Sequence, residues 1–112
     1  MKRPALVRLH DMLQAIEAVD EMIRGVDLAT YRSDMKLRLA VERSVEIISE
    51  ASRHIPKVEI GRYPDIPWPE IAAIGNKLRH EYQRIDDVIM WKIATRSLPE
   101  LKAVIVALIG KA

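Results

Sequence analysis

The sequence predicts an all-α domain folded as a helical bundle. Three observations carry that expectation. Apolar residues recur at i, i+3, i+4 and i+7 through most of the chain, the spacing of one face of a helix. Helix-stopping residues fall between those stretches, at Gly25, across Pro56–Pro69 and at Pro99. The β-branched residues also sit at helical spacing, so no strand is expected. At 112 residues the chain is long enough for one domain, covering 1–112, and too short for two.

The first helix is expected from about Ala5 to Arg24, with Leu6, Leu9, Leu13, Ile16 and Val19 (or Met22) on its inner stripe and Gly25 as its stop. The second runs from about Asp27 or Thr30, either of which can cap it, to His54. Its apolar positions include Tyr31, Met35, Leu39, Val45, Ile48 and Ala51. Its other side is charged, with Arg38, Glu42 and Arg43 either solvated or facing another subunit. Pro56 ends it. Residues 55–69 hold five Pro and Gly residues and are expected to be irregular. Trp68 in Pro-Trp-Pro-Glu is an aromatic anchor ahead of a third helix, Pro69 to Tyr82, which tolerates Pro69 in its first turn. A fourth helix starts near Ile85-Asp86-Asp87 with an Asp as cap. Ser97-Leu98-Pro99-Glu100 has a capping-box pattern, which predicts a break and then a last helix from Pro99 to Ile109.

Composition narrows the chemistry. Hydrophobic residues make up 49% and charged residues 30%, a globular balance. The core must be aliphatic, since there is no Phe. Cysteine is absent, which excludes disulfides and thiol catalysis, and three scattered His do not suggest a metal site. The apolar stretch after Lys2 and Arg3 is broken by Arg8, His10 and Asp11, and the run Ala103–Ile109 is far below a membrane span. A cytoplasmic protein with no membrane partner is expected. A net charge of +2 permits nucleic-acid binding without arguing for it.

The chemistry-bearing segment is Ile74-Gly75-Asn76-Lys77-Leu78-Arg79-His80-Glu81-Tyr82-Gln83. At about 100° per residue, Ile71, Ile74, Leu78 and Ile85 form the core-facing arc. His80 falls nearly opposite it, with Asn76 one turn earlier on the same side. Lys77, Arg79 and Arg84 surround a histidine kept out of the core, a setting suited to an anion. The plainer alternatives are a solvated charged face for the three cations and an exposed histidine without a role. Tyr82 either closes the bundle with its ring or carries a regulatory function. His10 and His54 lack such neighbours and are expected to be structural or surface residues.

Asp34 to Ala51, Ile66-Pro67-Trp68-Pro69-Glu70-Ile71, Gly75 to Tyr82, and Trp91 with Leu98-Pro99-Glu100-Leu101 together resemble the HepT-like proteins of the HEPN superfamily, across almost the whole chain. The resemblance implies an antiparallel four- to five-helix up-down bundle that dimerises. It implies a toxin of a bacterial or archaeal toxin–antitoxin pair that cleaves RNA without a metal or other cofactor. The implied partner is an MNT-type nucleotidyltransferase antitoxin that adenylylates a tyrosine. The motif's His corresponds to His80, its polar residue to Asn76 and its modified tyrosine to Tyr82. Its Arg has no counterpart, because the usual slot is Gly75, and Arg79, Lys77 and Arg84 are the candidates to supply the missing charge. A second reading follows from Gly75: a catalytically inactive HEPN protein that binds RNA or nucleotide, or that serves as a docking subunit for the nucleotidyltransferase.

Overall fold

The computed structural model describes residues 1–111, with Tyr82 through its backbone alone. Seven α-helices follow one another: α1 (Arg3–Ile23), α2 (Leu28–Ser33), α3 (Met35–Ser52), α4 (Lys57–Gly61), α5 (Trp68–His80), α6 (Asp87–Lys92) and α7 (Leu98–Gly110). A 3-10 turn, Tyr82–Arg84, separates α5 from α6, and a π turn, Ile93–Ser97, joins α6 to α7. No strand occurs among the described residues. The all-α expectation holds.

α1 buries Leu9, Met12, Ile16 and Val19 and stops where Gly25 takes φ +76°, a conformation glycine adopts without the Cβ penalty. It packs between α3 and α7, while α5 packs on the far side of α3. The core joins those α1 residues to Val41, Val45 and Ile48 of α3 and to Leu98, Leu101, Ile105 and Leu108 of α7.

Several boundaries differ from the sequence expectation. The long second helix is two helices, because Asp34 is extended (φ −104°, ψ 98°) and its carboxylate accepts from Leu37 N–H at 3.1 Å as the cap of α3. Asp27, not Thr30, caps α2, accepting from Thr30 N–H at 2.8 Å. Tyr31, Val45, Ile48 and Ala51 are buried as expected, but Met35 and Leu39 are 64% and 54% exposed, and Val41 takes the core position. The loop 55–69 contains α4, and Ile66 and Trp68 are buried within it and at its end. Trp68 is the expected anchor: its indole N–H donates to Tyr63 O at 3.0 Å.

The capping box at Ser97 does not form. Ser97 is helical, its side chain makes no cap bond, and Leu98 N–H bonds Ile93 O in a widened turn. Pro99 explains the widening. It has no N–H for Thr95 O, and its ring would press on that carbonyl in a regular helix. The chain therefore runs through instead of breaking. Asp86 is the cap of α6, accepting from Val88 and Ile89 N–H at 2.8 and 3.3 Å. Trp91 stacks on Tyr31 with ring centroids 5.2 Å apart.

Candidate active site on helix α5

Helix α5 stands against α3 along one seam. Ser49, buried on α3, donates its hydroxyl to Ala72 O at 3.1 Å and accepts Gly75 N–H at 3.0 Å. Arg53 adds a bond to Ala72 O at 2.9 Å. Farther along, Arg79 lies 4.0 Å from Glu46. As residue numbers rise on α5 they fall on α3, so the two helices are antiparallel.

Gly75 is the closest point of that seam. A Cβ there would stand 2.6 Å from Ser49 Oγ and 2.9 Å from Ser49 Cβ, so the position cannot carry a side chain without moving α5 or Ser49. Its glycine thus has a packing reason of its own, independent of any loss of activity. The same construction places Arg79 Nη1 3.5 Å from the missing Cβ. The guanidinium of Arg79 folds back over the backbone position that lacks a side chain.

α5 ends at His80, two residues earlier than expected. Glu81 leaves the helical region (φ −127°, ψ 30°), and its N–H closes on Lys77 O at 2.7 Å. Leu78 is buried as expected. Ile71 and Ile74 are only half-buried, and Ile85 lies outside the helix, so the predicted core arc is shorter and is shifted toward Trp68, Gly75 and Leu78.

The candidate residues separate into three directions. His80 and Asn76 are exposed, one turn apart on the face opposite Leu78, as the periodicity required. Lys77 borders an apolar groove of about 260 Å³ between α5 and the α6–α7 rod, whose walls include Ile71, Ile74, Ile89 and Ile93 over a floor of Val45 and Ile48. Arg79 points the other way, toward α3. Arg84 is exposed in the 3-10 turn beyond His80. The structure therefore joins His80 with Asn76 and does not gather the three cations beside them in one subunit. The Tyr82 side chain lies outside the described residues. His10 and His54 are exposed, with His54 Nε2 3.9 Å from Glu50. No group of His, Asp or Glu able to hold a metal occurs among the described residues, and no helix there is long and apolar enough to cross a membrane.

The sequence reading missed two features. One is the Ser49–Gly75 contact, whose signal was an isolated glycine inside a helical pattern. The other is a polar cavity of about 240 Å³ on the outer side of α3, lined by charged residues of α1, α3 and α5. No periodicity argument brings three helices' charges to one place.

Residues 12–108 match the family model described as Ribonuclease HepT-like. The chain belongs to the HepT-like ribonuclease family. Its relatives include a protein named "Probable ribonuclease HepT" from Thermococcus cleftensis, 38% identical over 102 residues that make up 91% of this chain and 93% of the relative. A protein of Methanocaldococcus jannaschii provisionally described as an RNase is 35% identical, with 90% of this chain and 93% of the relative covered. Another with the same kind of description, from Caldanaerobacter subterraneus, is 35% identical with 84% of each covered. No solved structure matches the chain. The matched span takes in Gly75, Asn76, His80 and Tyr82.

Proposed function

We propose that this HepT-like chain is a metal-independent endoribonuclease acting as the toxin of a toxin–antitoxin pair, with His80 as its acid–base residue. The observation that carries the reading is the placement of His80: an exposed imidazole at the end of α5, with Asn76 one turn behind it, in a chain of a ribonuclease family. An imidazole both takes and gives a proton near neutral pH, which is what RNA cleavage without a metal requires.

In the proposed step one imidazole takes the proton of a 2′-hydroxyl. O2′ forms a bond to phosphorus, the P–O5′ bond breaks, and a second imidazole gives its proton to O5′. The products are a 2′,3′-cyclic phosphate and a 5′-hydroxyl. One protomer has one His80, so the two roles fall to His80 and the partner's His80 across a homodimer cleft. Asn76 donates to the phosphate, and Arg79, with Lys77 and Arg84 beside the cleft, offsets the charge that develops there. The proposed antitoxin is an MNT-type nucleotidyltransferase. Adenylylation of Tyr82 adds a phosphate's negative charge and bulk next to a site built for RNA phosphate.

The test is cleavage of single-stranded RNA by the purified protein in EDTA. Wild type is expected to leave 2′,3′-cyclic phosphate ends, and His80→Ala is expected to lose at least about 100-fold in rate. Equal cleavage by the two proteins removes His80 from the mechanism. The reading in which the chain only binds RNA, or docks the nucleotidyltransferase, rested on Gly75, and the contact with Ser49 supplies another reason for that glycine. Binding of RNA without cleavage by wild type would restore it.

A further inference from the structure

Apart from Arg79, the residues of the polar cavity on the outer side of α3 have no part in the proposed acid–base step. Its charged lining comes from three helices: Arg8 and Asp11 of α1, Arg43, Glu46 and Glu50 of α3, and Arg79 of α5. Glu46 is the hub. Its carboxylate accepts from Arg43 at 2.9 Å, and its same oxygen lies 4.0 Å from Arg79, so one carboxylate holds two guanidiniums near each other. That carboxylate is 20% exposed, whereas Arg43 is 67% exposed and presents most of its donors outward.

We infer that this cavity is a backbone-phosphate subsite for the RNA strand, formed by Arg8, Arg43 and Arg79 and set in place by Glu46. The inference rests on the ribonuclease reading for its ligand and adds residues that reading does not use. Three arguments support it. Each guanidinium carries five N–H donors in a planar fork that matches phosphate oxygens, and Glu46 engages only one Arg43 donor at hydrogen-bond distance. Asp11, Glu46 and Glu50 also line the cavity and balance the three arginines, so the outward, 67% exposed Arg43 fork is the group that meets a phosphate from the solvent side. Finally, Arg79 directly precedes His80. The imidazole and the guanidinium leave α5 about 100° apart, on a helix about 10–12 Å across with its side chains. In the proposed arrangement a strand with one phosphate at His80 would carry its neighbouring phosphate around α5 toward the cavity.

The experiment measures binding of wild-type protein to a 2′-O-methylated single-stranded oligoribonucleotide, which cannot be cleaved through a 2′-hydroxyl, by fluorescence anisotropy across a salt series. Arg43→Ala is the principal variant because its side chain is exposed. Arg8→Ala is the second, and Arg24→Ala is the control, since Arg24 follows the opposite end of α1 and its ion pair among the described residues is with Asp20. Arg43→Ala and Arg8→Ala are each expected to weaken binding about threefold to tenfold and to reduce the slope of log K against log salt by about 0.7, the value for one single-strand phosphate contact. Arg24→Ala is expected to change neither. Should Arg8→Ala lower the melting temperature, Arg43→Ala alone carries the result. Binding by wild type with Arg43→Ala indistinguishable from Arg24→Ala overturns the subsite and leaves the ribonuclease reading standing. No binding by wild type overturns both.

Discussion

Replacing Gly75 by alanine adds one methyl group at the tightest point between α3 and α5. In an exposed helix interior this change is stabilising by about 1 kcal/mol, since glycine is the poorer helix former. Here the new Cβ would meet Ser49 Oγ at 2.6 Å and Ser49 Cβ at 2.9 Å, and Ser49 cannot swing aside without giving up its bonds to Ala72 O and Gly75 N–H. Overpacking costs about 1–3 kcal/mol. Two lost hydrogen bonds add about 0.5–1.5 kcal/mol each. After subtracting the propensity gain, Gly75→Ala is expected to destabilise the protein by about 1–5 kcal/mol. For a domain of this size the middle of that range lowers Tm by roughly 10 °C. The assay is urea unfolding with a double-mutant cycle. Ser49→Gly removes both atoms that clash, so in its background Gly75→Ala is expected to recover most of its cost, with a coupling energy of at least about 1 kcal/mol. A stabilised Gly75→Ala protein, or additive single and double variants, would refute the argument that the seam dictates this glycine.

Two further perturbations read the polar cluster under α2 and α6. Tyr31 is buried, and its hydroxyl has no hydrogen-bond partner among the described residues. Burial, with smaller contributions from the charges of Glu42 and Asp87, pushes the phenol up to about 12. Tyr31→Phe keeps the stack on Trp91 and removes an unsatisfied polar atom, so it is expected to gain about 1 kcal/mol in chemical unfolding; a comparable loss would show that the hydroxyl is bonded. Glu42 is held above its ordinary value of 4.5 by burial first and then by Asp87, with Arg38 opposing. The folded state therefore binds this proton more tightly than the unfolded chain does. The contribution is full below pH 4.5 and is lost as pH rises through the folded value. Glu42→Gln is expected to melt above wild type at pH 7, with the gap closing on acidification; a wild type that melts higher at pH 7 refutes the sign.

The fold class was legible because periodicity and stop residues report local structure. Gly25 and Asp86 acted as their residue types require, and Trp68 anchored the start of α5. The exposed side of α5 was legible for the same reason, so Asn76 and His80 were found together. Where the sequence misled, tertiary structure decided. Asp34 could be read as a helical residue until its side chain capped a new helix. Met35 and Leu39 have the spacing of a core stripe, yet both are exposed and Val41 is buried in their place. Pro99 signalled a break, yet a helix can absorb a proline by widening one turn. The convergence of Arg8, Arg43 and Arg79 has no sequence signature, because it depends on which helices lie side by side.

The helix that ends in His80 has its principal packing partner in α3, and it faces an open groove on another flank. Ser49 thus works as a spacer: the size of that one side chain sets how far α5 stands off its support at Gly75, and the imidazole farther along the same helix moves with it. A bulkier group at position 49 would push α5 away from α3 and carry the His80 ring with it, although no atom of residue 49 reaches the exposed face of α5.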